Sequence, residues 1–476
     1  MQIKINTLPI KKIQNVIFTR SFLIIFLQVL LILSSPIIIF WLIDSTDGIE
    51  RISYIITKGS INIFFFLVPF LGLTIALNRK GWLKYLYTSI ILSMLYGYLL
   101  KWYWITGFSH TTHLYGFLPT SDAATYFQEA YGLIFGDPLH GSSTFRPFGT
   151  LYFSSVFWLS NLNLKLSFWI MAYLNLISSL IASNEIRKTN GAIASAIYLI
   201  AGLFFLRYFI GTVMTEQLGF LLGNLAFASF WKGIRTKSAE VILLGLFLLS
   251  MGLNVRAGAM FILFTIPTWF YIYYIRNKKS FRWILIILLI TFSGFILNSL
   301  SLNLFSTDGG TLFSNFGYTL YGVAVGNQGW SQILIDHPGV TSDQTLQLAL
   351  QQIITDPPLF IKGVLNTYLD FFNPESSWAF SFLRLYPTYQ NTIVFLLFVM
   401  GIAFIFKNRD KPFSKFLIYC LLGILFSVPF APTRDVGYRT YTVTNPILVC
   451  ILLMGFSWMN IISFKLKTKW NDNENE

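Results

Sequence analysis

Residues 22–43 of the chain read FLIIFLQVLLILSSPIIIFWLI, and residues 283–302 read WILIILLITFSGFILNSLSL. Each stretch is uncharged and, as a helix, is long enough to cross a hydrocarbon core about 30 Å thick. Neither stretch alternates between apolar and polar residues, as a strand of a membrane β-barrel would. The two stretches therefore predict an all-α, polytopic integral membrane protein.

The composition of the whole chain indicates the same class. The chain is 55% hydrophobic and only 11% charged, whereas a soluble domain carries roughly 25% charged residues. Apolar runs predict about twelve transmembrane helices, an even number that leaves both termini on one side of the membrane. We expect these helices near residues 21–43, 61–77, 85–105, 165–185, 192–210, 217–232, 240–254, 258–275, 283–303, 391–406, 414–431 and 443–462.

The basic residues indicate how these helices are oriented. Alternate connecting segments hold 23 of the 34 lysines and arginines but only 6 of the 20 acidic residues. The positive-inside rule places these segments, and with them both termini, in the cytoplasm, and a bacterial inner (plasma) membrane fits best. Residues 147–160 are a further apolar run. We interpret it as a helix at the outer membrane surface, because an extra crossing would invert the charge pattern; a short spanning segment is the alternative.

The net charge of +14 does not by itself indicate nucleic-acid binding. The basic residues form short patches between apolar runs, and no basic stripe is interleaved with aromatic residues. Cys420 and Cys450 lie in apolar runs and form neither a disulfide framework nor a metal-binding spacing. We therefore expect membrane lipids, and no nucleic acid, among the partners.

Two predicted outer segments, 106–164 and 304–390, exceed ordinary loop length and should be partly ordered and functional. In the second, Thr341 to Gln344 form a capping-box pattern that predicts a helix through Ile354, and Asp356-Pro357-Pro358 predicts another through Phe372. The regions are an N-terminal cytoplasmic tail with a transmembrane hairpin (1–84), a transmembrane core that includes the first outer loop (85–303), an extracytoplasmic loop region (304–390) and C-terminal transmembrane helices with a cytoplasmic tail (391–476).

Two acidic residues at the predicted outer surface are candidates for chemistry. Asp122 lies near a predicted helix start and shares one helix face with Tyr126 and Ala130, at a spacing of four residues. It is either a functional carboxylate or a residue that complements the helix N-terminus. Glu216 lies at the outer end of an apolar run, where an ionisable residue is either functional or an interfacial cap of the next helix.

Three arginines at the same predicted surface are candidates for binding an anion. Arg146 precedes a proline where the chain returns to the membrane surface, Arg256 lies between two short apolar runs without a local partner, and Arg439 leads into the last predicted helix. A guanidinium group presents a planar fork that matches a phosphate. Anchoring at the membrane interface is the alternative interpretation for Arg146.

The order of these residues resembles the GT-C superfamily of polyprenyl-phosphate-sugar-dependent glycosyltransferases, which includes protein O-mannosyltransferases and aminoarabinose transferases. The similar motifs are the Asp-x-x-x-Tyr-x-x-x-Ala pattern followed by glycine at Asp122, Tyr126, Ala130 and Gly136, then Arg146-Pro147, Thr215-Glu216, Arg256, and Arg439 through Pro446. The resemblance covers about residues 85–462. The chain differs from the family in its additional hairpin at 21–77, in Arg-Thr-Tyr where Arg-Tyr is usual, and in one acidic residue where the first loop usually has an Asp-Glu pair.

The resemblance implies a GT-C-like bundle that transfers a sugar from a polyprenyl-phosphate donor to a glycan, lipid or protein acceptor, with inversion at the anomeric carbon. It implies that Asp122 is the general base and that Glu216 orients the acceptor or helps to bind a divalent cation, Mg or Mn. The implied donor-binding residues are Arg146, Arg256, Arg439 and Tyr126. An O-antigen-type polymerase or ligase with a diphosphate-linked donor is the alternative, and a lipid or polysaccharide transporter or flippase ranks third.

Overall fold

The computed structural model describes residues 20–47, 66–106, 113–114, 118–119, 121–140, 144–275, 281–307, 315–374, 380–383, 389–431 and 437–459. Its helices are α1 Arg20–Ser45, α2 Leu67–Asn78, α3 Leu83–Thr106, α4 Ser121–Ile134, α5 Pro147–Leu159, α6 Leu164–Leu206, α7 Thr215–Thr236, α8 Ala239–Val255, α9 Ile262–Phe270, α10 Phe281–Phe305, α11 Asn315–Ala324, α12 Gln332–Asp336, α13 Ser342–Thr355, α14 Pro357–Phe372, α15 Tyr389–Lys407, α16 Pro412–Ser427 and α17 Asn445–Trp458.

Shorter elements connect these helices. A π-helical turn, Tyr271–Ile275, continues α9, and 3-10 turns cover Ser381–Leu383, Val428–Phe430 and Gly437–Tyr441. Within the described residues, strand structure is confined to His113–Leu114 and Leu118–Pro119, which pair antiparallel. The prediction of an all-α architecture is therefore confirmed at this level.

Six helices are long and apolar enough to cross a membrane, judged by length and composition. They are α1, α3, α6, α10, α15, and α16 together with the 3-10 turn that follows it. Shorter apolar helices lie at other predicted positions, namely α2, α8, α9 with its π-helical turn, and α17. The chain is thus an all-α membrane protein, while the number of twelve crossings and their orientation remain predictions.

Helix α6 reverses direction at Gly191, where the sequence predicts a turn between two helices. Gly191 has φ 87° and ψ −178°, a conformation that glycine adopts at little cost and other residues rarely adopt. The Ser195 hydroxyl donates to the Ser183 carbonyl oxygen at 2.8 Å, although twelve residues of straight helix would separate the two by about 18 Å. The two arms of α6, residues 164–190 and 192–206, are therefore antiparallel.

Ion pairs define two opposite ends of the bundle. In α7, Glu216 lies in the first turn and Arg235 in the last turn, about 30 Å apart at the usual helical rise. Arg235 donates to Glu185 Oε2 at 2.8 Å, which places the reversal of α6 beside the last turn of α7. We call the end that contains Glu216 the site end and the end that contains Glu185 the far end.

Helix α5 corresponds to the apolar run at 147–160, and both of its ends lie at the site end. At its start, a Cβ on Gly149 would lie 3.0 Å from the Thr215 side chain, next to Glu216. After it, the hydroxyls of Ser160 and Ser167 are 2.7 Å apart, and Ser167 lies in the first turns of α6, about 30 Å along the helix from Glu185. Helix α5 therefore does not connect the two ends of the bundle; its position relative to a membrane remains a prediction.

The predicted helices of the second outer segment are confirmed nearly to the residue. Helix α13 begins after Thr341, whose backbone N–H donates to Gln344 Oε1 at 3.2 Å, and Asp356 Oδ1 accepts from the backbone N–H of Leu359 at 3.0 Å to start α14. Helices α11 to α14 share a small apolar core of their own. The Tyr368 hydroxyl donates to the Leu425 carbonyl oxygen at 3.0 Å, so α14 packs against the end of α16.

Candidate functional site

Glu216 is the centre of a buried ionic cluster at the site end. Its side chain is completely buried in the first turn of α7. Glu216 Oε1 accepts from Arg439 Nε at 2.5 Å and lies 3.4 Å from Arg256 Nη2. One carboxylate oxygen is therefore shared by two guanidinium groups, which satisfies the requirement that a buried charge be paired.

Arg256 follows the last residue of α8, in the loop outside the helix, and is almost fully buried. Its Nε donates to the backbone oxygen of Arg439 at 3.5 Å. Burial lowers the pKa of Arg256 to about 10; the Glu216 carboxylate opposes this change, while Arg146 and Arg439 contribute to it. The arginine that has no partner near it in sequence is thus held by groups from two distant segments, α7 and the turn at 437–441.

Arg439 lies in the 3-10 turn at 437–441 and links the two acidic residues. Its Nη2 is 3.5 Å from Asp122 Oδ2, while its Nε bonds to Glu216. Burial alone would lower the pKa of Arg439, but the two carboxylates raise it above its ordinary value. Nη2 is buried and makes no well-formed hydrogen bond within the described residues, so this donor is available to an anionic ligand.

Asp122 is the exposed member of the cluster. It lies in the first turn of α4, and 61% of its side chain is accessible to solvent. Its carboxylate can complement the N-terminus of α4, as one sequence interpretation proposes, and it also faces Arg439. Among the residues of this cluster, it is the carboxylate that a water-soluble reactant can reach.

Two more residues extend the cluster: Tyr126 in α4, and Arg146, which precedes α5. Tyr126 lies one turn after Asp122, and its ring packs 6.0 Å from that of Phe153. The Tyr126 hydroxyl accepts a hydrogen bond from Arg146 Nη1 at 3.4 Å. Arg146 is also near enough to Arg256 to act on its charge. The six residues singled out from the sequence therefore lie together, with three guanidinium groups and two carboxylates.

An apolar cavity of about 290 Å³ opens beside Arg146. It lies between the transmembrane helices of the protein and the unit formed by α11 to α14. Its lining includes Phe145, Arg146, Ala257, Gly258, Met260, Phe261, Phe295, Phe316, Thr319 and Phe430. Half of these lining residues are phenylalanines, and a guanidinium group lies on the wall, an arrangement that suits an amphipathic ligand.

Two residues that the sequence reasoning missed position this site. Asn298 is fully buried in α10; its Oδ1 accepts from the Phe148 backbone N–H at 3.2 Å, and its Nδ2 donates to the Asn254 carbonyl oxygen at 3.4 Å. It therefore ties the start of α5 to the end of α8. A Cβ on Gly258 would lie 1.8 Å from the Thr440 carbonyl oxygen, so glycine allows the loop after Arg256 to contact the turn that carries Arg439. The sequence signal for Asn298 is its position as a polar residue within the apolar run 283–302.

The residues present give little support for a metal site. No group of three or more His, Cys, Asp or Glu side chains gathers in the part of the chain that the structure describes. Glu216, the carboxylate expected to help bind a divalent cation, has one oxygen engaged by two arginines and the other 3.5 Å from the Thr215 hydroxyl. Its chemistry suits the positioning of guanidinium groups better than metal ligation.

Comparison with models of known protein families, with curated proteins and with solved structures finds no match for this chain. The function therefore has to be inferred from the chemistry of the site and from the order of the motifs in the sequence. The site offers three features: clustered arginines, an accessible carboxylate and an apolar cavity.

Proposed function

We propose that the protein is a GT-C-like membrane glycosyltransferase that transfers a sugar from a polyprenyl-phosphate donor to a glycan, lipid or protein acceptor. The observation that carries the proposal is the arrangement around Arg439, whose guanidinium group contacts a buried carboxylate and an exposed one. A second arginine, Arg146, lies between this cluster and an apolar cavity. The arrangement combines a base, an anion site and a space for a lipid.

The arginines suit the phosphate of such a donor. Arg256 is held in place by Glu216, and Arg439 has a buried Nη2 without a well-formed hydrogen bond among the described residues. Charge on the phosphate grows as its bond to the sugar breaks, and fixed cations stabilise that charge in the transition state. Because the groups are buried, their interaction with the departing phosphate is stronger than it would be in water.

The cavity beside Arg146 suits the first isoprene units of the donor lipid. Five phenylalanines contribute to its wall, and its volume of about 290 Å³ accommodates a segment of a longer chain. A polyprenyl phosphate has an apolar chain attached directly to an anionic head, and the cavity has Arg146 on its wall. Both parts of the donor therefore find a matching surface within one site.

Asp122 is the general base in this proposal. The acceptor hydroxyl oxygen forms a bond to the anomeric carbon, the bond from that carbon to the phosphate oxygen breaks, and the hydroxyl proton goes to the Asp122 carboxylate. Attack opposite the phosphate inverts the anomeric carbon. The exposure of Asp122 and its 3.5 Å contact with Arg439 support the role, because the base must reach solvent and lie near the leaving group.

Glu216 positions the arginines. It is fully buried and therefore inaccessible to a large acceptor, but it fixes Arg256 and Arg439 on one oxygen. The pattern of basic residues supports an extracytoplasmic site end with cytoplasmic termini. In this proposal the membrane is the plasma membrane, and the lipid-linked donor reaches the site from the outer leaflet.

Deletion of the gene in the source organism tests the function. Mass spectrometry of surface glycans, lipids and proteins should show the loss of one sugar, which the wild-type gene restores and Asp122→Asn does not. Unchanged surface molecules would contradict the proposal. Accumulation of a diphosphate-linked oligosaccharide would instead indicate the polymerase or ligase class.

A further inference from the structure

A second cavity, of about 350 Å³, lies toward the far end of the bundle between α1, α3 and the first arm of α6. Apolar residues such as Leu33 and Leu180 form most of its wall, and Tyr85 and Asn184 lie at its polar end. Val29, Leu33 and Ile181 line the cavity and are also more than 40% exposed. The cavity therefore opens sideways, between helices that are apolar enough to lie in a membrane.

Two cationic side chains, Arg187 and Lys84, lie beside the polar end of this cavity. The Tyr85 hydroxyl and Arg187 Nη2 both donate to Asn184 Oδ1, each at 3.1 Å. Arg187 Nε is buried and has no hydrogen-bond partner among the residues that the structure describes. The ammonium group of Lys84 lies 4.8 Å from the centre of the Tyr85 ring. Arg187 and Lys84 thus contact Asn184 and Tyr85, the two residues at the polar end of the cavity.

The neighbouring carboxylate does not neutralise these two cations. Glu185 also lines the cavity, but its oxygens are taken by Lys188 and by Arg235, the latter at 2.8 Å. In the described part of the chain, neither Arg187 nor Lys84 forms an ion pair with an acidic residue. The mouth of an apolar cavity therefore has two positive charges that an anion can compensate.

We propose that this cavity binds one acyl chain of an anionic phospholipid, whose phosphate group contacts Arg187 and Lys84. Basic pockets between transmembrane helices bind the headgroups of anionic lipids in this manner. The sideways opening and the apolar wall favour a membrane lipid over a soluble phosphate. The site lies at the opposite end from the ionic cluster of Glu216, about 30 Å along α7, and it does not depend on the proposed glycosyltransferase activity.

Lipid binding can be measured on the full-length protein in nanodiscs of dioleoylphosphatidylcholine. Dioleoylphosphatidylglycerol is then titrated in, and native mass spectrometry counts the bound molecules. We expect one tightly bound phosphatidylglycerol. The double variant Lys84→Gln/Arg187→Gln should bind it about ten- to a hundredfold more weakly, because two charge-assisted contacts are lost.

Two further variants separate a built site from general attraction. Leu180→Trp fills the cavity and leaves both cations in place, so it should also lose the bound lipid; Leu33→Trp does the same from the opposite wall if Leu180→Trp does not fold. Lys232→Gln/Arg409→Gln removes two exposed charges and should bind normally. Equal binding of the zwitterionic and anionic lipids by the wild type, or normal binding by the cavity-filled variant, would overturn the proposal.

Discussion

The two ends of the bundle each contain a buried glutamate paired with two cations, but the pairs differ in their surroundings. At the far end, Lys188 and Arg235 hold Glu185, and both cations remain about one-third exposed, at 34% and 32%. At the site end, Arg256 and Arg439 hold Glu216, with side-chain exposures of 7% and 24%. A third arginine and a second carboxylate, Arg146 and Asp122, lie close by.

This difference distinguishes a partly hydrated ion-pair cluster from a more deeply buried one. The far-end cations keep more of their hydration than Arg256 and Arg439 do, and Glu185 joins α6 to α7. Groups at the site end are removed from water at a cost that their mutual attraction repays only with good geometry. Arg439 Nη2 nevertheless lacks a well-formed hydrogen bond within the described residues. The site end therefore retains an unused capacity to bind an anion.

The largest expected effect concerns Asp122, the exposed carboxylate that faces Arg439 at the site end. Asp122→Asn should lower turnover by about 10²–10⁴-fold, because the amide cannot accept the acceptor proton. Protein yield and donor binding should stay near normal. The assay follows the release of polyprenyl phosphate by purified protein, in the presence of the acceptor that the deletion strain identifies.

Asp137→Asn is the matched control for this assay, because it changes an exposed carboxylate of the same segment. It should keep full activity. A wild-type rate for Asp122→Asn would leave Asp122 with only the role of complementing the start of α4 and would remove the general base from the mechanism.

The same substitution at both glutamates tests the comparison directly. Glu216→Gln should lower the free energy of unfolding by about 3–5 kcal/mol, because it leaves two buried arginines without their counter-charge. Glu185→Gln should cost about 1 kcal/mol or less, because Lys188 and Arg235 can turn to water. Denaturant unfolding of the two variants in one detergent gives both values. Equal losses of unfolding free energy in the two variants would show that the two clusters contribute to stability in the same way.

Replacement of the arginines by lysine should have an intermediate effect on donor binding. Arg256→Lys and Arg439→Lys keep the charge but lose the planar fork. Each should weaken binding of the polyprenyl-phosphate sugar by about ten- to a hundredfold, as expected for one charge-assisted contact. Calorimetric titration without acceptor measures this, with Arg282→Lys as the control. Normal donor affinity in both variants would exclude a phosphate site at these residues.

The smallest expected effect concerns Asn298, which ties the start of α5 to the end of α8. Asn298→Ala removes the bonds to Phe148 and Asn254 and leaves buried backbone groups unsatisfied, at a cost of about 1–3 kcal/mol. Because the start of α5 carries Arg146, donor affinity should fall together with stability. Asn298→Asp, which retains the acceptor for Phe148 but not the donor, should separate the two bonds. Full stability of Asn298→Ala would show that packing alone positions Arg146.

Local signals in the sequence predict local structure well. The capping box at Thr341 and the prolines after Asp356 place the starts of α13 and α14 correctly, because both signals act within a single helical turn. The predicted helix at 258–275 begins later, at Ile262, because the residues before it form the loop that contacts the turn of Arg439.

Local sequence patterns do not predict which residues pair within the site. Arg439 is 223 residues from the glutamate it bonds to, and Arg256 shows no partner in its own segment. The order of motifs identified the residues, but the sharing of one Glu216 oxygen by two arginines depends on how α7, α8 and the turn at 437–441 pack. The apolar cavity likewise combines side chains from several separate segments, so no single stretch of sequence encodes it.

The separation between Glu216 and its partners also sets an order of events during synthesis. Glu216 is synthesised at the start of α7, and Arg256 is added soon afterwards, directly after α8. The stronger contact comes from Arg439, which the ribosome adds 223 residues later. Until then the carboxylate has only half of its final counter-charge. A nascent chain therefore completes this ionic cluster only when the turn at 437–441 is made, and a chain arrested earlier leaves Glu216 with Arg256 as its counter-charge.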